Sequence, residues 1–267
     1  MKKVAVITGA SSGIGEACAW QFAKQGYNVV LAARNVDKIN AMAKEITTHG
    51  AGTLAIQTDV TIEENCRKLV DRTIEQFGRI DVLINNAGIS MRSLFDRVEL
   101  DVLKKLMDVN FWGTVYCTKY ALPHILKQKG SIVGVSSIAG KKGLPGRAGY
   151  SASKFAMEGF LETIRIENRR KGLHVLVACP GFTSSNIRKV ALTADGSKQG
   201  DSPRDESQMM HPSQVALNIV QAVHRRKRDL VLTRVGKLTV LFNKFFPGWL
   251  DKKVYQEMAK EPNSPLI

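Results

Sequence analysis

Seven short apolar runs rich in β-branched residues punctuate the chain, at 4–7 (VAVI), 28–33 (NVVLAA), 53–58 (TLAIQT), 81–84 (DVLI), 131–136 (SIVGVS), 173–178 (LHVLVA) and 229–232 (DLVL). Runs of this length and composition predict strands. Between them, 15–25, 36–48, 62–77, 99–128 and 151–171 repeat apolar positions at three- and four-residue intervals, which predicts helices. In 62–77, Ile62, Cys66, Leu69, Val70, Ile74 and Phe77 form one stripe. Strand-helix alternation at this spacing predicts an α/β fold: a doubly wound parallel sheet with helices on both faces, three layers α/β/α in all. In such sheets ligands bind beyond the carboxyl ends of the strands.

Two regions break the rhythm. Residues 183–211 are polar and carry Gly196, Gly200 and Pro203, which predicts a substrate-side loop after the sixth strand. Residues 235–260 form a C-terminal extension whose first part, VGKLTVLFNKFFPGWL, is unusually apolar and aromatic. A chain of 267 residues, 44% of them hydrophobic, is long enough to bury one sizeable core, so a single domain over 1–267 is expected. There are no internal repeats and no low-complexity tracts.

Lys and Arg outnumber Asp and Glu by 39 to 24, a formal net charge of +15 that favours anionic ligands, acidic partners or anionic lipid surfaces, or is simply a solvated basic surface. No basic-aromatic groove pattern accompanies it, so nucleic acid is not an expected partner. Cys18, Cys66, Cys117 and Cys179 are scattered through apolar segments without C-x-x-C spacing and read as small core residues, so neither a metal site nor a disulfide framework is expected. Met1-Lys2-Lys3 before Val4–Ile7 mimics a signal peptide, but the apolar run breaks at Gly9 and a first strand is the better reading. No apolar stretch approaches the roughly 20 residues of a spanning helix, so a cytoplasmic protein is expected, with peripheral membrane contact left open.

The first strand runs into Thr8-Gly9-Ala10-Ser11-Ser12-Gly13-Ile14-Gly15 and then into a helix. Glycines at a strand-to-helix turn tolerate φ > 0, let the backbone approach a pyrophosphate and pack the helix closely on the sheet. The helix N-terminus adds free N–H groups and partial positive charge. The spacing is G-x-x-x-G-x-G rather than G-x-G-x-x-G, so the usual fingerprint is not matched. An acid for the ribose 2′-hydroxyl is expected about 20 residues further on, but the second strand ends Ala32-Ala33-Arg34-Asn35. Arg34 suits a 2′-phosphate, which favours NADP(H), with NAD(H) as the alternative.

Tyr150-Ser151-Ala152-Ser153-Lys154 opens a helix, so the phenol and the ammonium share a face. A free phenol titrates near pH 10, and a cation at roughly 4 Å would lower that by about three units, toward the working range of a general acid/base. Ser137 lies 13 residues upstream at the end of a strand, from where its hydroxyl can donate to a substrate carbonyl. Ser136 is the alternative hydroxyl, but strand alternation points it the other way.

Together these residues resemble the classical short-chain dehydrogenase/reductases, over nearly the whole chain. The motifs are TGASSGIG at 8–15, Asp59-Val60, Asn85-Asn86-Ala87-Gly88, Asn110, Ser136-Ser137, YSASK at 150–154, and Pro180-Gly181 followed by Thr183. The resemblance implies a Rossmann-type fold, and a site in which Tyr150 is the acid/base, Ser137 orients the carbonyl, Lys154 holds the nicotinamide ribose and Asn110 maintains a proton-relay water. It further implies that Gly9, Ser11, Ser12, Gly13, Ile14 and Gly15 hold the cofactor, with Asp59 and Val60 flanking the adenine. Asn86, Ala87 and Gly88 would line the cleft, while Pro180 and Gly181 would lead to Thr183 at the nicotinamide carboxamide. Read from the residues alone, Asn110 is also a helix-bending or capping residue, and Asp59 the helix cap or turn residue before Thr61.

The expected reaction is interconversion of a carbonyl and an alcohol with NADP(H), in the direction of reduction. Ile89–Arg92, 141–147 and the 183–211 loop follow carboxyl ends of strands and are expected to form the substrate pocket. Met209 and Met210 line a lipophilic site or pack beneath the loop. The C-terminal segment, with Lys237, Lys244, Lys252 and Lys253 among its aromatic residues, reads as a lid, a contact within a homodimer or homotetramer, or a membrane-surface helix interrupted at Pro247-Gly248. It resembles the longer tails of family members that act on lipophilic ketones, including some hydroxysteroid dehydrogenases. Two rival functions are a 3-oxoacyl-carrier-protein reductase, for which the basic surface suits an acidic carrier, and a redox sensor that binds nucleotide without turnover.

Overall fold

The computed structural model describes residues 1–202, 205–206 and 209–266. Pro203, named above in the loop, lies outside them. Seven strands, β1 (Val4–Thr8), β2 (Asn28–Ala33), β3 (Thr53–Gln57), β4 (Val82–Asn85), β5 (Ser131–Val135), β6 (His174–Cys179) and β7 (Asp229–Val231), form one sheet in the order β3-β2-β1-β4-β5-β6-β7. Every pairing is parallel. Alternation along each strand builds two cores: in β1, Ala5 and Ile7 face one side while Val4 and Val6 face the other. Helices α1 (Gly13–Lys24), α2 (Val36–Thr48) and α7 (Pro212–His224) cover the first side. On the second lie α3 (Glu63–Phe77), α5 (Gly113–Lys127) and α6 (Ala148–Glu167). This is the doubly wound three-layer arrangement expected, and all four cysteines are buried free thiols.

Local chemistry sets the helix ends. Asn35 caps α2 by accepting from the Lys38 N–H at 3.0 Å, and Gly78 ends α3 in the left-handed region at φ 71°. Of the stripe read in 62–77, Cys66, Leu69 and Val70 are buried, but Ile62 is the cap residue, extended and half exposed, because the helix begins one residue later.

The segment expected to be one helix, 99–128, is three pieces: α4 (Leu100–Met107), a π-helical turn (Asp108–Trp112) and α5. The extra residue of a π turn widens the helix there and re-aims the side chains around it. Asn110, fully buried, sits at its centre. Beyond β7, α8 (Arg234–Phe245) and α9 (Pro247–Ala259) meet at Pro247, where the sequence placed an interruption.

Candidate active site

Neighbouring strands β1 and β4 lead to β2 on one side and β5 on the other, so the crevice at their carboxyl ends is the switch point of the sheet. The glycine turn fills it. Gly9 (φ 64°) and Gly13 (φ 57°) are left-handed. A Cβ on Gly9 would stand 2.9 Å from Ala87 Cα, and one on Gly15 would stand 2.3 Å from the Gly9 carbonyl oxygen. Both obstacles are backbone and cannot be moved aside, so the turn admits only glycine at these positions.

Two side chains fasten this crevice, Thr8 at the head of the glycine motif and Asn86, expected only to line the cleft. Thr8 Oγ1 donates to the Ile84 carbonyl (3.2 Å) and accepts from the N–H groups of Asn86 (3.0 Å) and Ala87 (3.1 Å). Asn86 Nδ2 in turn donates to the carbonyls of Thr8 (2.9 Å) and Gly9 (3.2 Å), so Asn86 buttresses the turn from below. In both motifs the glycines announce themselves in sequence, whereas the cross-strand fastening needs the β1–β4 pairing to be known.

An open cleft follows the turn across the sheet edge, with Gly9, Ser11, Ser12, Gly13 and Ile14 along one wall and Asn86, Ala87 and Gly88 along the facing one. Arg34, Asp59 and Val60 bound its far end. Among the described residues the exposed Arg34 guanidinium has no carboxylate partner and is free to meet an anion. Of its two readings Asp59 takes the turn: its Oδ1 accepts from the Thr61 N–H (3.0 Å) and hydroxyl (2.8 Å), and the residue borders the cleft. Pro180, Gly181 and Thr183 are not among its walls; the buried Thr183 hydroxyl donates to the Gly181 carbonyl at 3.1 Å. Ser185, Asn186, Ile187 and Val190 take that position instead, the loop folding back until Ser185 faces Gly13. A polar loop with no periodicity gave no sign of this in the sequence.

At the inner end of the cleft, Gly88 lies against both Asn110 Oδ1 and Lys154 Nζ. Lys154 is buried on α6 and donates to the Val135 carbonyl at 2.9 Å, and its burial lowers its pKa to about 8. Its Nζ stands 5.9 Å from the centre of the Tyr150 ring. Asn110 accepts from the Ile89 N–H (2.9 Å) and donates to the Ile89 carbonyl (3.0 Å) and to Ser153 Oγ (2.9 Å). Ser153 passes the link on to the Tyr150 carbonyl at 2.9 Å. The π turn is thereby tied to the helix that carries the tyrosine, and the inner serine of YSASK is the knot.

Ser137 caps a short 3-10 turn, its oxygen accepting from the Ala139 N–H at 3.2 Å, which leaves the hydroxyl proton to donate elsewhere. Ser136 points the other way, as alternation requires, and donates to Glu158 at 2.6 Å.

Tyr150 corrects the sequence expectation. Burial among Met91, Val102, Leu106 and Leu192 raises its pKa; a hydrogen bond with Ser137 and the charge of Arg147 pull the other way without cancelling it. The phenol's own burial outweighs the cations near it, so Lys154 does not bring it toward neutrality in this form. The tyrosine is held as an acid.

The loop closes over this pair. Leu192 bridges to Met91, with the Arg92 N–H donating to the Leu192 carbonyl (2.8 Å) and the Leu192 N–H to that of Ser90 (2.9 Å). Met210 packs against the first core and donates its N–H to the Phe182 carbonyl at 3.1 Å, the packing role of the two read for it. Arg92, expected at the pocket, is drawn to the C-terminus instead: its Nη2 meets the Pro262 carbonyl (2.8 Å) and Glu261 (3.4 Å).

The comparisons agree with this geometry. The short chain dehydrogenase family matches residues 3–195. The chain is 34% identical over 267 residues to "Dehydrogenase/reductase SDR family member 7B" of Mus musculus, covering 98% of this chain and 83% of that one. It is also 34% identical over 270 residues to "11-beta-hydroxysteroid dehydrogenase A" of Sesamum indicum, covering 97% and 77%. Among solved structures, a short chain dehydrogenase/reductase from Burkholderia phymatum in complex with NAD superposes with a TM-score of 0.82 at 25% identity, covering 91% of this chain and 93% of that one. An alcohol dehydrogenase from Thermococcus sibiricus complexed with 5-hydroxy-NADP gives 0.77 at 26%, covering 87% and 96%. The chain belongs to the short-chain dehydrogenase/reductase family. It is an oxidoreductase that acts on CH–OH groups with a nicotinamide nucleotide as the partner oxidant.

Proposed function

We propose that this enzyme reduces a lipophilic ketone or aldehyde with NADP(H), Tyr150 supplying the proton. The observation that carries the reading is that Tyr150, hydrogen-bonded to Ser137, and Lys154, whose Nζ lies against Gly88, stand beside a cleft that Gly88 and Arg34 both line. The residues fit the cofactor: Gly9 and Gly15, bare because backbone crowds them, keep the turn tight where Gly9, Ser11, Ser12 and Gly13 line the cleft, and Arg34 offers a bidentate fork for a 2′-phosphate. When bound, the nicotinamide supplies the hydride for the carbonyl carbon.

The chain's own residues do the rest. Tyr150 donates its phenolic proton to the carbonyl oxygen as negative charge develops there, and Ser137 donates a hydrogen bond to the same oxygen. Lys154 is assigned to the ribose hydroxyls, which its N–H groups not used by Val135 would hold. Asn110 is assigned the relay water; with its carboxamide committed to Ile89 and Ser153, its main-chain carbonyl, which already accepts from Thr114 at 3.0 Å, is the remaining point of attachment. Leu192, Met91 and the neighbouring apolar side chains favour a lipophilic substrate over a sugar. The likeness to the 11-beta-hydroxysteroid dehydrogenase A of Sesamum indicum points the same way.

The test is a panel of lipophilic ketones, acyl-carrier thioesters and alcohols followed by NADPH absorbance. Ketone reduction is expected, with NADPH favoured over NADH, and Arg34→Asp is expected to cost NADPH at least about tenfold in kcat/KM. Equal use of the two nucleotides would overturn the assignment of Arg34, and activity confined to carrier thioesters would select the acyl-reductase reading.

The C-terminal helices belong to the same proposal. Their inner side is docked: Gly236 packs on Ile138, Asn243 donates to the Lys141 carbonyl at 3.0 Å, and Asp251 pairs with Lys142. Their outer side leaves Val235, Leu238, Leu241, Phe245, Phe246 and Trp249 half exposed or more, beside Lys237 and Lys244. No helix among the described residues is long and apolar enough to cross a membrane. We assign the outer face to an anionic membrane surface. Liposomes containing anionic lipid are expected to sediment the enzyme, and Phe245→Ser/Trp249→Ser is expected to release it. Equal soluble fractions for both proteins would leave subunit contact as the use of this face.

A further inference from the structure

At the opposite edge of the sheet from Tyr150, by the first residues of β5 and β6, a second cavity of about 500 Å³ is bounded by Arg165, Arg169, Arg226 and Arg228, with His174 at its base. Arg165 comes from the last turn of α6, Arg169 from the 3-10 turn that follows it, and Arg226 and Arg228 from the α7–β7 connection.

Ordinary structural roles account for part of the cluster. Arg226 closes two left-handed turns, donating to the Lys129 carbonyl at 3.0 Å and the Gly172 carbonyl at 2.6 Å. Arg165 pairs with Glu162 at 2.9 Å, and Arg228 reaches the same carboxylate oxygen at 3.4 Å. That leaves one exposed carboxylate against four guanidiniums, and Arg169 has no acid partner among the described residues.

His174 reports how far the positive charge penetrates. It accepts no proton readily: Nε2 faces the Lys227 carbonyl at 2.8 Å and Nδ1 the Ser131 hydroxyl at 2.9 Å, which fits a neutral ring. Burial lowers its pKa, and the charges of Arg226 and Arg165 lower it further against the opposing pull of the Lys227 carbonyl. A concave surface with several guanidinium forks and a dry wall is suited to a multiply charged oxyanion, which each fork can grip with paired hydrogen bonds.

We propose that this cavity binds a phosphate anion, as a phosphomonoester or pyrophosphate, independently of the cofactor cleft. The apolar wall of Ile166 and Leu173 gives room for an alkyl chain, so the phosphate arrives either free or as the head of an amphiphile.

The test is titration of inorganic pyrophosphate and of hexyl phosphate at constant ionic strength, with sodium chloride as the control and saturating NADPH present. The His174 ring is followed by NMR and reports this cavity alone, whatever occupies the cofactor cleft. Saturable binding is expected to raise the His174 pKa by at least about half a unit, because the anion offsets Arg165 and Arg226. Arg169→Gln/Arg228→Gln, at two exposed positions, is expected to weaken binding at least about tenfold, and Glu162→Gln to tighten it. Tighter binding of hexyl phosphate than of pyrophosphate identifies the amphiphile as the source, and the reverse order identifies free phosphate. A His174 shift no larger than that given by chloride, or one undiminished in the double variant, would overturn the proposal.

Discussion

Tyr150→Phe is expected to lower kcat for carbonyl reduction by at least about a hundredfold, the scale of general acid catalysis, while nucleotide affinity and Tm stay close to those of the parent. The phenol is buried in an apolar cluster, so removing only its hydroxyl keeps the packing. Ser137, with which it shares a hydrogen bond, already holds Ala139 and loses little. Stopped-flow reduction with nucleotide bound in advance separates chemistry from binding. Turnover within tenfold of wild type would remove Tyr150 from the mechanism.

Lys154→Met should divide activity from stability. At neutral pH the buried ammonium is held against its preference for water, its pKa down from 10.5 to about 8. That shift corresponds to roughly 3 kcal/mol of destabilisation at pH 7, offset in the variant by about 1 kcal/mol for the lost bond to Val135. The variant is expected to melt at or above the wild-type temperature while kcat/KM falls by about two orders of magnitude.

The pH dependence carries the same sign. Between about pH 8 and 10.5 the unfolded chain binds the proton that folded Lys154 has shed, so this group makes wild-type stability rise with pH across that window, and the variant lacks the rise. A Tm at pH 7 well below wild type would mean that the ammonium holds the fold together, contrary to its burial.

The alternation of Val4, Ala5, Val6 and Ile7 between two cores was legible because a strand's period is set by its own backbone, and the same holds for all seven strands. Glycines 9, 13 and 15 were legible because few other functions need three in one turn. The π turn at Asn110 was not, since an inserted residue leaves the apolar period on either side nearly intact. Nor was the sense of the Tyr150 shift: four residues of helix put a cation near the ring, but how deeply the phenol is buried depends on Met91, Val102, Leu106 and Leu192, which are distant in sequence. The approach of Ser185 to Gly13 depends on a loop path that no periodicity encodes.

Segment 183–194 does two things at once, bordering the nucleotide cleft through Ser185–Ile187 and sealing the tyrosine through Leu192. Unsealing breaks the three backbone hydrogen bonds that tie Leu192 and Ala194 to Ser90, Arg92 and Glu99 and exposes one leucine, about 5 kcal/mol together, so the open form is on the order of one molecule in several thousand. A carbonyl compound meeting the bare protein would see its apparent affinity reduced by that fraction. Any nucleotide contact that repositions Ser185 would lift the penalty, so the two ligands are thermodynamically coupled through one stretch of chain, and an ordered sequence with nucleotide first is the economical route through the reaction.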